Sequence, residues 1–597
     1  MKGYKIPFKA FPPPTVCSQS ILSSEDTAVM NQLIPKMVKA GVVSTCDHDS
    51  REFISPVFLV PKKDGTKRFI LNLKMLNLYV KEEHFKIEDL RTAKRLISKG
   101  DYFASIDLQE AYWHVPIHET YKIYLRFMFG GQLYQFNCLP FGLSSAPRVF
   151  TKLLKPVVAF LREKGYLSVI FLDDILLIGS TFDQCSRNID ESVKLLTFLG
   201  FTVNLQKSVV VPTKKITFLG FELNSVTNTV ELPQKKSDKI MRLGMQVINS
   251  KNLSVLCFSR FLGTIVSACP AVPYGMFHTK LMERDKYTSL GSDRLLFSKQ
   301  MNLSKEAIDD IRWWINHCTG AKMPMNNPPF NCTIFSDASL SGWGASCSGQ
   351  RAHGWWNDQE KEESINFLEL KAAYYALRAF TNKQSNLSIL FRIDNTTAIS
   401  YINRFGGVKY PKLNHLARKI WSYSELNAHY IYASYINTND NVVADAESRS
   451  SEYNSEWTLD RNCFLSVLDH LNFHPTIDLF ASHANAQLDL YISWRPDPYA
   501  FEVDAFSMTW TDLQFYCFPP FSLCARVLQK VREEEAEGII IVPQWPTQPW
   551  WPLLIRLSKF RLLELPFNEH LIHFNRQLHP LGKQLTLVAS FLSGKRF

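Results

Sequence analysis

Between Ile54 and Leu73 two apolar, β-prone runs, SPVFLVP and KRFILNL, flank the polar stretch KKDGT. The runs and the Asp64-Gly65 dipeptide between them predict a β-hairpin. Upstream, the Pro-rich start of the chain reads as extended. Ser24, followed by Glu25 and Asp26, predicts the capped start of an amphipathic helix. Residues 102–222 mix short apolar strands with helices, and residues 225–330 read as largely helical up to MPMNNPP. That Pro/Asn cluster is the clearest domain boundary. Beyond it, TIFSDASLSGWGASC opens a second strand-rich segment that runs with its helices to about residue 450, and a Trp- and Pro-rich third region continues to Phe597. No internal repeat interrupts this order.

A chain of 597 residues is too long for one hydrophobic core and should divide into three or more domains. With 46% hydrophobic and 21% charged residues, it is globular in composition rather than disordered. The net charge of +11 fits a polyanionic partner, though the excess is modest for this length. The 12 cysteines include no CxxC pair, which argues against a zinc ribbon and for reduced thiols in an intracellular protein. His570 and His573 have a metal-ligand spacing but no Cys or acidic partner nearby in sequence, so no structural zinc is expected there. The segment MKGYKIPFKAFPPP lacks the apolar core of a signal peptide. No run approaches the roughly 18 apolar residues of a membrane span. The expectation is a soluble cytoplasmic or nuclear protein with no membrane partner.

The sharpest chemical signal is VIFLDDILLIG, where two β-prone runs flank Asp173 and Asp174. A hairpin would hold both carboxylates at its tip, and like charges in an apolar frame are costly unless a cation neutralises them. Alone, such a pair is more often an ordinary turn. The segment YFASIDLQEAYWHVPI adds Asp107 at the end of an apolar strand and Tyr112 five residues later. Nucleotidyl transfer uses two magnesium ions about 4 Å apart, and two or three carboxylates suffice to hold them.

These residues resemble the reverse transcriptase family, whose catalytic hairpin is an aromatic residue, any residue, then Asp-Asp, here Phe171-Leu172-Asp173-Asp174. The resemblance makes Asp107 the third metal ligand and Tyr112 the steric gate against a ribonucleotide 2′-hydroxyl. LPFGLSSAP is similar to the family's template- and nucleotide-contacting loop, with Phe141, beside Gly142, in place of the Gln common in retroviral enzymes. VPKKDGTKRFILNLKMLN resembles the fingers hairpin, which implies triphosphate contacts from Lys62 and Arg68. LGFTVNLQKS puts Lys207 where a lysine is proposed to protonate pyrophosphate, and FLGFEL, with Phe218, Leu219 and Gly220, is similar to the primer grip.

Four more acids follow the Pro/Asn boundary. Asp337 lies in FSDASLSGWGA, Glu369 in the helix-patterned SINFLELKAAYYALRAF, Asp394 at the end of SILFRIDN, and Asp445 in DNVVADAESR at an expected helix start. Singly, each reads as a solvated acid. Their order resembles RNase H, in which such a tetrad binds two magnesium ions that activate water against RNA. The hybrid is then read through the 2′-hydroxyls of its RNA strand. Retroelement nucleases often carry His-Ile-Pro-Gly ten residues before the last Asp, where this chain has Tyr435-Ile436-Asn437-Thr438. A Tyr does not shuttle protons near neutral pH as a His does, so a slower nuclease is expected.

FSDASLSGWGA, EWTLDRNCF and TIDLFASHANAQLDLYISWRPDP together resemble DIRS-type retrotransposons, which pair reverse transcriptase and RNase H with a tyrosine recombinase. Some members carry a region similar to adenine-N6 methyltransferases, whose Asn/Asp-Pro-Pro-Tyr/Phe loop holds a flipped adenine. Here the loop reads Phe518-Pro519-Pro520-Phe521, and a phenylalanine cannot accept the hydrogen bond of the adenine amino group. Residues 470–597 therefore read as a degenerate methyltransferase-like module with a structural or nucleic-acid-binding role. VPQWPTQPWWPLL could offer aromatic platforms to bases, although packing in a core is the commoner fate of such residues.

The expected fold class is α/β (α+β) and multidomain. Residues 1–45 form an N-terminal extension and helix, 46–224 the fingers and palm of a right-hand polymerase, and 225–329 a mostly helical thumb and connection. An RNase H-like domain at 330–450 and the methyltransferase-like region at 451–597 follow. The implied cofactor is magnesium, or manganese in its place, two ions per site. The implied partners are an RNA template, a DNA primer, dNTPs, an RNA/DNA hybrid and a separately encoded tyrosine recombinase. The alternative is a decayed or domesticated copy that binds nucleic acid without catalysis, against which both carboxylate sets are intact.

Overall fold

The computed structural model describes residues 3–18, 22–61, 67–291, 296–449, 457–566, 571–574, 577–581 and 585–595. The chain forms two compact units. The first takes residues 1–241, 270–273 and 317–327; the second takes 242–269, 274–316 and 328–597. The nuclease-like and C-terminal regions, separated at residue 450 in the sequence reading, therefore share one unit.

In the first unit, α1 (Ser24–Lys39) is capped one residue earlier than expected, by Ser23, whose hydroxyl accepts from the Asp26 N–H at 3.0 Å. Strands β1 (Val57–Pro61) and β2 (Lys67–Leu71) pair antiparallel with Val57 opposite Leu71 and Pro61 opposite Lys67. The Asp64-Gly65 turn and Lys62 lie outside the described residues. A four-stranded antiparallel sheet follows, built from β3 (Tyr102–Asp107), β4 (Leu167–Phe171), β5 (Asp174–Gly179) and β6 (Val209–Thr213) in the order β6-β3-β5-β4. Strand β5 is central and buried from Ile175 to Gly179, which explains its unbroken apolar run. Helix α2 (Ala146–Glu163) turns Ala146, Phe150, Leu154, Val158 and Leu161 inward at helical spacing. Helix α3 (Phe182–Phe198) packs against β3 and β5.

A second sheet of this unit starts as the hairpin of β7 (Lys215–Phe218) and β8 (Phe221–Asn224). The region expected to be mostly helical contributes β9 (Thr229–Glu231) and β10 (Lys322–Pro324) to it, in the order β7-β8-β9-β10. Between those two strands run α4 (Gln234–Ile248), α5 (Val255–Val266), α6 (Lys280–Leu290) and α7 (Lys305–His317).

The second unit holds two sheets of five strands. In the first, β11 (Cys332–Ala338), β12 (Gly342–Cys347) and β13 (Gln350–Trp355) form an antiparallel meander, and β14 (Ser388–Ile393) and β15 (Tyr430–Tyr435) continue it in parallel. The order is β13-β12-β11-β14-β15. Helices α8 (Ile365–Thr381) and α9 (Pro411–Leu426) make the crossovers, and α10 (Val442–Ser448) closes over β12. Helix α8 is buried almost all round, as its mixed apolar pattern requires. In the other sheet β16 (Ile477–Asp478), β17 (Gln514–Cys517) and β18 (Glu537–Pro543) are parallel. Beyond them β19 (Leu563–Glu564) and β20 (Leu587–Ser593) complete the order β16-β17-β18-β20-β19, with β20 antiparallel to both neighbours. Ile540 and Val542 of β18 pack in one apolar cluster and Ile539 and Ile541 in another, so both faces are covered.

Among the described residues no helix is long and apolar enough to cross a membrane, and no disulfide joins any of the 12 cysteines. His570 lies outside the described residues, so the His570/His573 pair has no structural description.

Candidate active sites

Strand β3 ends on Asp107 and β5 begins on Asp174, and the antiparallel register sets these two residues directly opposite each other. Asp173 sits in the turn before β5, where Leu172 adopts φ +57° and turns the chain tightly between β4 and β5. The Asp173 carbonyl accepts from the Leu108 N–H at 3.1 Å, tying the turn to the end of β3. On the other side, the Asp107 N–H donates to the Ser208 hydroxyl at 3.0 Å and its carbonyl accepts from the Asn204 N–H at 2.9 Å. Burial, then the charges of Asp173 and Asp107, push Asp174 up to about 6, against the pull of Lys207. Burial also raises Asp107; Lys207 opposes that rise and Asp173 adds to it. Two raised acids, Asp107 and Asp174, with Asp173 adding its charge to both beside Lys207, form a centre suited to positive charge.

A cavity of about 380 Å³ opens beside this centre, lined by Asp107, Asp174 and Lys207 together with Phe218, Leu219 and Gly220. The primer-grip candidates thus face the same space as two of the aspartates. Their placement comes from a two-residue hairpin turn in which Leu219 and Gly220 have φ of +50° and +79°, the backbone of a type I′ turn. Tyr112 is buried, with its ring 5.0 Å from that of Phe141 and 5.6 Å from that of Phe150. Burial, reinforced by Asp173, raises its hydroxyl to about 12. The Arg68 guanidinium lies over the Phe141 ring at 5.2 Å, which brings strand β2 to the LPFGLSSAP loop. Gly142 has φ +102°, and a Cβ there would meet the Leu71 carbonyl oxygen at 3.0 Å. Asn77, absent from the sequence reading, fixes this loop: its Nδ2 donates to the Gly142 carbonyl and its Oδ1 accepts from the Ser144 N–H, both at 2.9 Å.

In the second unit, ligand oxygens of Asp337, Glu369 and Asp394 lie within 4.8 Å of one another. They converge because β11 and β14 are parallel neighbours and α8 packs across β11. Asp445 does not join this trio; its Oδ1 accepts from Arg449 Nε at 3.0 Å and from the terminal nitrogen at 2.8 Å. Burial, then Asp337 and Asp394, raise Glu369 to about 9, and its Oε2 is buried without a hydrogen-bond partner. Burial pushes Asp337 up to about 6, partly offset by the Ser448 hydroxyl that donates to its Oδ2 at 2.8 Å. Thr438, at the last position of the segment where a His was sought, donates to Asp394 Oδ2 at 2.7 Å. Tyr435 is 55% exposed at the end of β15.

In the C-terminal region Phe518 and Phe521 follow β17, 6.2 Å apart and packed on the apolar cluster of β18 and β20. Trp545, Trp550 and Trp551 also pack against the cores of this region, which favours the core reading of VPQWPTQPWWPLL. Asp478, fully buried at the end of β16, is raised by burial to about 7 and accepts backbone N–H groups of Gln487 and Phe480.

Residues 60–223 match the model of the family described as reverse transcriptase (RNA-dependent DNA polymerase). A polyprotein of Cassava vein mosaic virus is 22% identical over 444 residues, covering 71% of this chain and 65% of the viral protein. The retrovirus-related Pol polyprotein from transposon opus of Drosophila melanogaster is 26% identical over 187 residues, or 30% of this chain and 18% of that protein. The Transposon Tf2-3 polyprotein of Schizosaccharomyces pombe is 24% identical over 207 residues, or 34% and 14%. This chain therefore spans less than two thirds of the length of each of these relatives. Among solved structures, the foamy viral protease-reverse transcriptase in complex with RNA/DNA hybrid aligns with a TM-score of 0.47 at 18% identity, covering 72% of this chain and 56% of that one. Asp107, Asp173, Asp174 and Lys207 all fall inside the matched segment, which is similar to the reverse transcriptase family and to segments of retrotransposon and viral polyproteins.

Proposed function

We infer that this chain is the RNA-directed DNA polymerase of a retrotransposon, with a ribonuclease H activity that cleaves RNA in the hybrid it makes. The observation that carries the reading is the Asp107–Asp174 register pair, sharing one cavity with Lys207 and the Phe218–Gly220 turn inside the reverse-transcriptase segment.

The donor set fits divalent metal. Asp107 and Asp174, raised by burial and by acidic neighbours, and a buried Glu369 oxygen without a partner are costly without a cation. Asp107, Asp173 and Asp174 would hold magnesium or manganese in the polymerase site; Asp337, Glu369 and Asp394, with Asp445 once released from Arg449, would hold it in the nuclease site. When bound, such ions supply Lewis-acid stabilisation of the phosphoryl oxygens and of the attacking oxygen. The chain's own groups do the rest. The Tyr112 ring narrows the space beside Phe141 and favours a deoxynucleotide. Lys207, lining the same cavity, would give a proton to the departing pyrophosphate, and Arg68, with Lys62, would grip the triphosphate. Phe218, Leu219 and Gly220 support the primer end.

The domain division given above remains our reading of the chain. The C-terminal sheet, three parallel strands followed by an antiparallel β20, is consistent with a methyltransferase-like module. Phe518 argues that it lacks methyl transfer. We assign the chain to the DIRS type on its motifs, with integration left to a separately encoded tyrosine recombinase. A copy that binds nucleic acid without catalysis is the competing reading.

The test is primer extension on an RNA template with a DNA primer in magnesium and then manganese, beside hybrid cleavage, with Asp173→Asn and Asp337→Asn as separate controls. The reading expects extension lost only in the first variant and cleavage lost only in the second. A folded, template-binding parent that does neither overturns it.

A further inference from the structure

Trp494 and Arg495 stand between two cavities of the second unit. One, of about 280 Å³, opens at the carboxyl ends of β16 and β17 beside Leu479 and Phe480. The other, of about 500 Å³, has Trp494, Arg495 and Pro496 on one wall and Arg351 of β13 and Glu447 of α10 on the other. Trp494 is 63% exposed, which leaves a large indole face open to a planar partner. The Arg351 side chain is 61% exposed. Glu447 lies 3.4 Å from Arg351 and 2.6 Å from His353 Nδ1, so both its oxygens are engaged by basic groups, and Arg495 reaches His353 at 3.3 Å.

This groove adjoins the nuclease carboxylates through one short helix. Helix α10 carries Glu447 in the groove wall, Asp445, and Ser448, which donates to Asp337. The opposite wall is held against the helix that carries Glu369. Arg378 of α8 lies over the Tyr499 ring at 4.2 Å, Asn382 Nδ2 donates to the Ala500 carbonyl at 3.1 Å, and Lys383 pairs with Glu502 at 2.5 Å. The groove therefore has a fixed position relative to the trio.

We propose that this groove binds a single-stranded nucleic-acid tail leaving the nuclease site, one base stacked on Trp494 and the neighbouring phosphates gripped by Arg351 and Arg495. The proposal deepens the nuclease reading and rests on it for the source of the tail. Exposed aromatic faces bind bases of any sequence, and guanidinium groups hold phosphate by paired hydrogen bonds. The C-terminal region then acts as a substrate-holding part of the nuclease.

The full chain is tested in EDTA, where no cleavage occurs, by fluorescence anisotropy on a labelled RNA/DNA hybrid. Three forms are compared: blunt, with a single-stranded tail of about eight nucleotides, and with an abasic tail of equal length. The ordinary tail tightens binding about tenfold in the parent; Trp494→Ala erases that gain, Trp494→Phe keeps most of it, and Arg351→Ala lowers the salt dependence of tailed binding. Trp494 is exposed, so its truncation opens no core. Equal affinity for blunt and tailed hybrids, an abasic tail as good as the ordinary one, or a gain that survives Trp494→Ala overturns the proposal. A parent that shows the tail effect in EDTA yet cleaves nothing in magnesium overturns the nuclease reading alone.

Discussion

Asp107 and Asp174 face each other across neighbouring antiparallel strands, two carboxylates at one register position. Like charges so placed destabilise a sheet, and Asp174 is raised to about 6 in consequence of burial first and its acidic neighbours second. A raised carboxyl makes the folded state bind more protons than the unfolded one, so stability is lost as pH rises through the folded value. Asp174→Asn removes that penalty. It should cut primer extension by more than the roughly hundredfold that losing an outer-shell metal partner costs, and leave the thermal midpoint at pH 8 unchanged or higher. A midpoint lowered by many degrees would assign Asp174 a structural role instead.

Gly142 holds φ +102° with its Cβ direction aimed at the Leu71 carbonyl, and Asn77 clamps the same loop from outside. Gly142→Ala should destabilise the first unit by about 1–2 kcal/mol. Because this loop carries Phe141 under Arg68, KM for dNTP should rise more than kcat falls. Steady-state extension over a range of dNTP concentrations separates the two; an unchanged KM would remove the loop from the nucleotide site.

The pairing of Asp107 with Asp174 was legible because these carboxylates end and begin strands whose apolar runs announce them, YFASID and DILLIG. The same holds for Asp337 and Asp394, while Glu369 sits on a helix of clear period. Asn77 and Thr438 were not legible. Each is a single polar side chain whose partner lies far along the chain, Gly142 for one and Asp394 for the other, and no periodicity encodes such a pair. Asp445, expected as a fourth ligand, stands outside the trio; its pairing with Arg449 was not foreseen, although the i,i+4 spacing in DAESR carries that signal. Strands β16 and β19 have two residues each, too few for any alternation to show. Helix α1 starts at Ser24 as read; its cap falls on Ser23 because adjacent serines are equivalent to a local pattern.

Glu369, raised to about 9, is protonated at neutral pH in the metal-free protein. Metal binding at the trio must then release a proton. Calorimetric titration with magnesium or manganese at pH 7 in buffers of different ionisation enthalpy should report release of about one proton, with affinity falling as pH falls. In Glu369→Gln that release should vanish, and the metal-free variant should melt roughly 2–4 °C higher at pH 9, the effect of about 1 kcal/mol. Binding without proton release would show that Glu369 is ionised before the metal arrives.

Tyr435 pairs in register with Ile393, the residue before Asp394, and is exposed at the strand end. Tyr435→His sets a group that titrates near neutral pH at a strand end, opposite the residue before Asp394. If proton transfer helps product to leave, steady-state hybrid cleavage should rise several-fold while the single-turnover rate stays constant. A rise in both rates would place the new imidazole in the chemical step, and no rise would show that product release does not limit the proposed cleavage.

His278 is buried in a polar network that ties α7 to α9. Its Nδ1 lies 2.8 Å from Asp310 and its Nε2 3.0 Å from Glu425, its ring stacks on Trp313 at 3.9 Å, and Arg418 pairs with Asp310 at 2.8 Å. Burial alone would lower its pKa, but the hydrogen bonds and charges of Asp310 and Glu425 outweigh it, and the pKa is raised. A raised histidine contributes stability that is fully present below the unfolded value of about 6.5. That contribution is lost as pH climbs through the folded value. His278→Gln should therefore cost about 2 kcal/mol at pH 6, the worth of hydrogen bonds between charged groups, and much less at pH 9. Thermal midpoints of parent and variant across this range should converge with rising pH; a constant gap would mean that His278 holds the network as a neutral ring, through packing on Trp313 alone.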